Sequence, residues 1–352
     1  MPVNDHPPNT PAAVRRRDER APAARRLTAA VRLVAVAGLV LSTAPAPLRG
    51  QDGWVVPAPP QHEPLNPAVV ARSGLHHLPM EPAAPRWSFA TTAEYGSVVE
   101  RNLAWPDLYL YDAELLRVQV TARRDLGERA FVRLQGGVTG AYDGFADAFF
   151  EGYHQLIQWV MPERDTRPRN RYGARLTLSE HALDLEAERH VLLPTDLRAT
   201  VGMRLGDAHQ TALSVTAPLA PARSVFARGA PSVSLTHTAR AAGRRLTAEG
   251  SVGVGFTPRA GELSEVQRTM LTMAAGGAGF ALARNHSLYV TLFHHSAPYR
   301  GTGFPELDHH ELSADFGYAW RSPSGRVWRF GLTEDLRRRD PGIDLVVKVG
   351  VE

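Results

Sequence analysis

The sequence predicts an all-β protein, an antiparallel transmembrane β-barrel of about 12–14 strands with one helix in a long extracellular loop. Three observations predict it. The first is alternation. Leu312, Ala314, Phe316, Tyr318 and Trp320 share one parity, and Ser313, Asp315, Gly317, Ala319 and Arg321 share the other. Trp328, Phe330 and Leu332 likewise oppose Arg329, Gly331 and Thr333, and Leu345, Val347, Val349 and Val351 oppose Val346, Lys348 and Gly350. Successive strand residues point to opposite faces, so one face suits hydrocarbon while the other tolerates full charge. The second is the spacing of the connections, which alternate between short and long, as periplasmic turns and extracellular loops do in outer-membrane barrels. The third is that no apolar run beyond the first fifty positions reaches the roughly 20 residues that a spanning helix needs.

Residues 1–50 have the layout of a secretory signal peptide. Arg15, Arg16, Arg17, Arg20, Arg25, Arg26 and Arg32 precede the apolar run Leu33 to Leu41, and the small residues Ser42 to Ala46 follow it. That arginine cluster inflates the formal charge of +4, so the charge carries no argument for nucleic acid as a partner. Cysteine is absent, which excludes disulfides, thiolate metal sites, cysteine nucleophiles and lipoprotein acylation. Residues 51–85 are rich in proline (Pro57, Pro59, Pro60, Pro64, Pro67, Pro79, Pro82 and Pro85) and without a sustained period, so they do not read as regular sheet. They form either a periplasmic tail or a plug inside the barrel.

From residue 86 to 352 the alternating segments fall near 86–96, 108–123, 129–140, 171–178, 182–189, 197–206, 210–218, 230–239, 245–256, 269–282, 286–296, 310–321, 326–334 and 343–351. These make fourteen strands, or twelve if the fourth and fifth belong to a loop. With the chain starting in the periplasm, the turns at 124–128, 206–209, 241–244, 284–285 and 322–325 fall inside. The connections at 97–107, 141–170, 219–229, 257–268, 297–309 and 335–342 fall outside. The longest holds a helix over Phe145 to Val160, stopped by Pro162 and Pro168, which could lie on the lipid interface, dock over the barrel mouth or fold into the lumen; its stripe of Phe149, Phe150, Tyr153, Leu156, Ile157 and Val160 is expected to pack in the tertiary structure.

The stretches Asp112 to Val118, Arg124 to Arg129 and Tyr142 to Asp147, with Tyr153-His154, Arg164-Asp165 and Arg169 to Tyr172, resemble a bacterial family known as domain of unknown function 3187. The terminal Gly331 to Leu336, Asp344 and Gly350 resemble its closing strands. The resemblance runs from about Asn66 to the end and implies an outer-membrane-type barrel; it brings no catalytic residues.

Arg117, Arg133, Arg175, Arg198, Arg204, Glu249, Asp315, Arg329, Asp344 and Lys348 take the inward parity and are expected to line the lumen, as a wetted channel or a salt-bridged filling. The excess of arginine among them points to anionic solutes. His294 and Ser296, two apart on one strand face, could form an acyl-transfer triad with Asp308, an arrangement similar to that of outer-membrane lipid A deacylases; the plainer alternative is a polar strand end. Asp143, Asp147, Glu151 and His154 share one face of the loop helix. They could hold a cation, or, as the weightier alternative, partner Arg164, Arg167 and Arg169 to lock the loop. The pairs His76-His77, His294-His295 and His309-His310 cannot chelate from a strand, where neighbours face opposite ways, and are expected in loops. Ala275 to Gly279 leads into no nucleotide-binding helix, so no cofactor and no resident metal is expected. The function expected is a passive or gated channel for a small or amphiphilic solute. A surface lipid hydrolase and a non-enzymatic adhesion barrel are the alternatives. Expected partners are outer-membrane lipid and lipopolysaccharide, the barrel-assembly machinery and the solute.

Overall fold

The computed structural model describes residues 59–70, 72–81, 86–157, 167–219, 229–337 and 342–352. The expected signal peptide and residues 51–58 of the proline-rich segment lie outside them, as do Arg164 and the helix positions 158–160. Among the described residues the strands are β1 (Ser88–Ala104), β2 (Asp107–Leu126), β3 (Ala130–Tyr142), β4 (Gly173–Leu178), β5 (Leu183–Glu186), β6 (His190–Pro194), β7 (Leu197–Arg204), β8 (His209–Ala217), β9 (Ser232–Ala242), β10 (Leu246–Phe256), β11 (Met270–Ala283), β12 (His286–His295), β13 (Glu311–Arg321), β14 (Val327–Asp335) and β15 (Leu345–Val351).

Twelve of these close into a ring. β1, β2 and β3 pair in turn, β3 pairs with β7, strands β7 to β15 follow in order, and β15 returns to β1 through Tyr95↔Val347 and Thr91↔Val351. Every pairing is antiparallel. Closure leaves no sheet edge unpaired around the ring, which is what a bilayer demands of β structure. The fourth and fifth sequence segments are β4 and β5, and they stand outside the ring: β4 pairs with the outer end of β2, Leu108–Asp112, and β5 with β4.

The outward parity is apolar and bare. Val201 is 59% exposed, Leu292 48% and Phe330 44%. Leaving such side chains in water rather than hydrocarbon costs on the order of 1.5–3 kcal/mol each, so a belt of them around a closed ring makes this a membrane-spanning barrel.

Two expectations need correction. Residues 97–104 are not loop, because β1 runs to Ala104 and pairs with β2 all the way to Ala104↔Asp107. The inward Val98 is apolar there, since it packs in a core at the barrel mouth, and that breaks the apolar-out rule. The strands of 17 and 20 residues also exceed the roughly 9–11 that cross a bilayer, so this hairpin projects beyond it.

The loop helix also packs with its faces exchanged. It spans Asp147–Leu156, and its buried residues are Asp147, Phe150 and His154. Asp147 accepts from Ser97 Oγ at 3.4 Å and from the Asn170 N–H at 2.6 Å. His154 Nε2 lies 3.5 Å from Glu334. Ser97 and Glu334 have outward parity, so the helix lies against the outside of the wall. Among the described residues of the predicted stripe only Phe150 is buried, stacked on Tyr95, while Phe149, Leu156 and Ile157 stay exposed. Outside a membrane barrel the apolar side of a helix belongs away from a polar wall patch, the reverse of the soluble case.

Candidate functional site

Residues 59–70 and 72–81 lie inside the ring. Pro59 meets Gly277, where a Cβ would stand 2.9 Å from the proline ring, which is why glycine suits that position. The chain climbs past His62 and Glu63 to a short helix α1 (Pro67–Val70), begun by the Asn66 side chain accepting from the Ala68 N–H at 2.9 Å. It then turns and descends, and an antiparallel bridge joins His62 to His77. On the way down Ser234 Oγ donates to Gly74 O, Thr238 Oγ1 to Leu78 O and Arg240 Nη1 to Met80 O, at 3.1, 3.0 and 2.8 Å. The descending limb thus follows β9 at a constant offset, and short hydroxyls of the wall satisfy carbonyls that have no ladder of their own.

At the outer end the plug enters an apolar core. Leu65 and Ala68 pack with Val98, Tyr109, Tyr111 and Leu115 from the β1–β2 hairpin, Leu176 from β4, and Leu263, Tyr299, Phe304 and Leu307 from the loops. At the mouth the loops and the plug therefore share one core.

Below this core the contacts are ionic. Arg198 grips the Glu63 carboxylate with Nη2 at 2.5 Å and Nη1 at 3.2 Å. Arg117 donates to Pro64 O and Glu63 O at 2.8 and 2.9 Å and reaches Glu94 through Nε at 2.5 Å. Lys348 Nζ sits 3.4 Å from Glu94, 3.6 Å from Asp315 and 3.1 Å from His62 Nδ1. Burial works against ionisation of Glu63, but Arg198 and Arg117 beside it outweigh that and hold its carboxyl well below the usual range.

Between the plug and the wall lies a cavity of about 130 Å³, part of it open to the exterior. Its lining mixes apolar side chains (Leu65, Val70, Tyr111, Leu115, Ala141 and Leu193) with polar and charged ones (Glu63, Arg117, Gln119, Gln135, Glu188, Asp196 and Arg198). It adjoins an irregularity in the wall. β3 pairs with β7 only as far as Gln135↔Arg198; beyond it β3 pairs with β6, shifted in register between Thr139 and Ala141. A second, smaller space of about 60 Å³ beside the plug is lined by Gln61, Glu81, Arg133, Arg329, Lys348 and Glu352 among others.

The predicted lumen residues divide. Arg117, Arg133, Arg198, Glu249, Asp315, Arg329, Asp344 and Lys348 are buried. Arg204 lies at the short-turn end, 3.0 Å from Asp125. Arg175 does not face the lumen: β4 has left the ring, and Arg175 pairs in the open with Asp184 at 3.0 Å. The expected triad is not assembled. Ser296 Oγ accepts from the Thr272 N–H at 2.9 Å, and the Asp308 carboxylate accepts from Thr302 N–H and Oγ1, both at 3.0 Å. The His294 ring instead stacks on His310, with centroids 5.2 Å apart. Asp143, Asp147, Glu151 and His154 do not converge either. Glu151 pairs with Arg169 and Asp143 with Arg189, and no group of three metal-ligating side chains occurs among the described residues. His76 and His77 belong to the plug rather than to an exposed loop, His77 Nδ1 lying 2.9 Å from Ser251 Oγ. The residues that sequence reasoning missed are Glu63, Gln135 and the hydroxyls of β7 to β10. The regular Ser and Thr at inward positions 232, 234, 236 and 238 were the available signal.

The fold and its contents define a membrane-spanning β-barrel with a segment of its own chain in the lumen. By a family model matching residues 75–352, the chain belongs to the family described as a protein of unknown function, DUF3187. No curated protein matches it. Among solved structures, it is similar to the COG4313 outer membrane channel from Pseudomonas putida F1, at 14% identity over 76% of this chain and 96% of that one, with a TM-score of 0.47. It is similar to the NanC porin at 8% identity over 75% and 98%, with a TM-score of 0.44. The Pseudomonas putida toluene transporter TodX matches at 8% identity over 81% and 90%, with a TM-score of 0.36.

Proposed function

We propose that the protein is an outer-membrane channel whose plug gates the passage of a small amphiphilic solute. The observation that carries this reading is the cavity held between plug and wall, lined by both apolar and charged side chains. A lumen filled only for stability would have no use for such a space. Below its apolar tip the plug is held in a way that permits departure: buried ion pairs contribute little net stability, and the hydroxyls it leaves behind can be hydrated. In this reading the short turns face the periplasm, the mouth faces outward, and outer-membrane lipid and lipopolysaccharide contact the belt. The barrel-assembly machinery inserts the chain after export.

The absence of cysteine makes a clean test possible. A Cβ at Gly74 would stand 2.7 Å from Ser232 Oγ, so the double variant Gly74→Cys, Ser232→Cys should fasten the plug to β9 when oxidised. In planar bilayers the reduced form is expected to conduct and the oxidised form to be silent. Equal conductance in both would overturn gating by the plug. Silence in both and in the unaltered protein would overturn the channel.

A further inference from the structure

One of the contacts that hold the plug also faces the cavity, and this coincidence assigns a solute class. Resting on the channel reading above, we propose that the cavity binds small amphiphilic carboxylates, whose carboxylate replaces that of Glu63 on Arg198 and so removes one of the ties that hold the plug.

The geometry at Arg198 is that of a carboxylate receptor already filled. Its guanidinium is fixed from behind by Thr216 Oγ1, 3.2 Å from Nε, and by Gln135 Oε1, 3.2 Å from Nη1. It presents Nη1 and Nη2 as a fork to Glu63, and a planar fork recognises a carboxylate in two parallel contacts. Glu63, Arg198, Arg117 and Gln135 all line the cavity, so a solute lying with its apolar body against Tyr111, Leu115 and Leu193 brings its head to the same fork. Both side chains of the Glu63–Arg198 pair are buried, at 6% and 5% exposure. A second carboxylate added beside Glu63 would leave a negative charge uncompensated, so the favourable outcome is exchange.

Exchange of one carboxylate for another on one guanidinium is nearly neutral in energy. Glu63 holds the advantage of being tethered, which acts as a high local concentration. The solute must therefore supply the difference by burying apolar surface, which the apolar part of the cavity lining offers. An uncharged molecule of the same shape gains that burial but cannot displace Glu63. Loss of the Glu63 contact leaves Arg117 holding the plug only by two backbone carbonyls, Glu63 O and Pro64 O.

Titration calorimetry of the detergent-purified full chain with hexanoate and with hexanamide, its uncharged counterpart, tests this. Hexanoate is expected to bind at least tenfold tighter than hexanamide. Glu63→Gln, which removes the internal competitor's charge, is expected to tighten hexanoate by a further tenfold or more, and Arg198→Gln to abolish the preference. Equal affinity for the two ligands, or no hexanoate binding by either the unaltered chain or Glu63→Gln, overturns the proposal. Should Arg198→Gln fail to fold on a heat-modifiability gel, the Glu63→Gln comparison decides alone. Bilayer currents separate the two claims. Conductance without a carboxylate preference sinks only the solute class, while tight hexanoate binding without conductance in any form sinks the channel and leaves the site.

Discussion

Gly317 and Gly331 stand opposite each other on β13 and β14, and the Tyr289 hydroxyl from β12 lies over both. A Cβ at Gly317 would run into the Phe330 carbonyl and the Tyr289 hydroxyl, and a carbonyl in a ladder cannot swing away as a side-chain tip can. Gly317→Ala should therefore cost about 1–3 kcal/mol and lower the temperature at which the folded band is lost on a heat-modifiability gel; an unchanged transition would contradict it. The inward parity of both glycines was legible in the sequence, but the reason for glycine was not, because the tyrosine that crowds them comes from a third strand. Glu63 carries a second expectation. Its carboxyl is held below the ordinary range, so the contribution of its ion pair is complete above the ordinary carboxylate value and is lost only as pH falls through the lower, folded value. Plug docking should persist from neutral pH down through about pH 4. Basal conductance recorded across that range should stay flat, and opening between about pH 6 and 5 would show that another group controls the plug.

The helix at Asp147–Leu156 shows how one element can be found and yet be mounted the wrong way round. Its period was readable and so was its apolar stripe, although it ends at Leu156, short of the prolines expected to stop it. Which face packs depends on the solvent, and on the outer wall of a barrel hydrocarbon takes the place of water. Asp147 is the fixing point, taking Ser97 Oγ and the Asn170 N–H from the wall and the returning loop. Asp147→Ala leaves that N–H without its acceptor, a loss of roughly 1–3 kcal/mol confined to the loop. Limited proteolysis should cut between residues 143 and 172 faster in the variant, with the heat-modified transition of the barrel preserved. Equal cutting rates would show that the helix is held by other contacts. The β4–β5 hairpin repeats the lesson. Its alternation is real, but pairing with the outer end of β2 takes it out of the ring, and Arg175 goes with it.

Across the molecule, twelve strands of alternating parity enclose a hairpin of chain that has almost no secondary structure of its own. The barrel is stabilised by its ladder and by lipid, and the plug by hydroxyls, ion pairs and the apolar core at the mouth. These two parts respond differently to the solvent. Charge networks weaken with acid and salt, whereas a closed ladder shielded by hydrocarbon does not. A chain in which Glu63→Gln is combined with Lys348→Met loses links from both limbs of the network, since Lys348 joins Glu94, Asp315 and His62. It should keep a heat-modifiable barrel while hydrogen exchange over residues 59–81 rises by tenfold or more. Unchanged exchange there would mean that the apolar tip alone seats the plug.

Period-two alternation, the length of each apolar run and the rhythm of short and long connections are local properties, and they were enough to determine a barrel, its handling of inside and outside, and the ring of twelve as one of two counts. Contacts between distant segments were needed for everything else. Proline-rich residues 59–81 carry no period because their carbonyls are satisfied by the wall at Ser234, Thr238 and Arg240, some 160 positions later in the chain. No local pattern encodes such a partner. The site at Glu63 and Arg198 exists only because closure of the ring brings the wall around a segment whose own sequence left tail and plug both open.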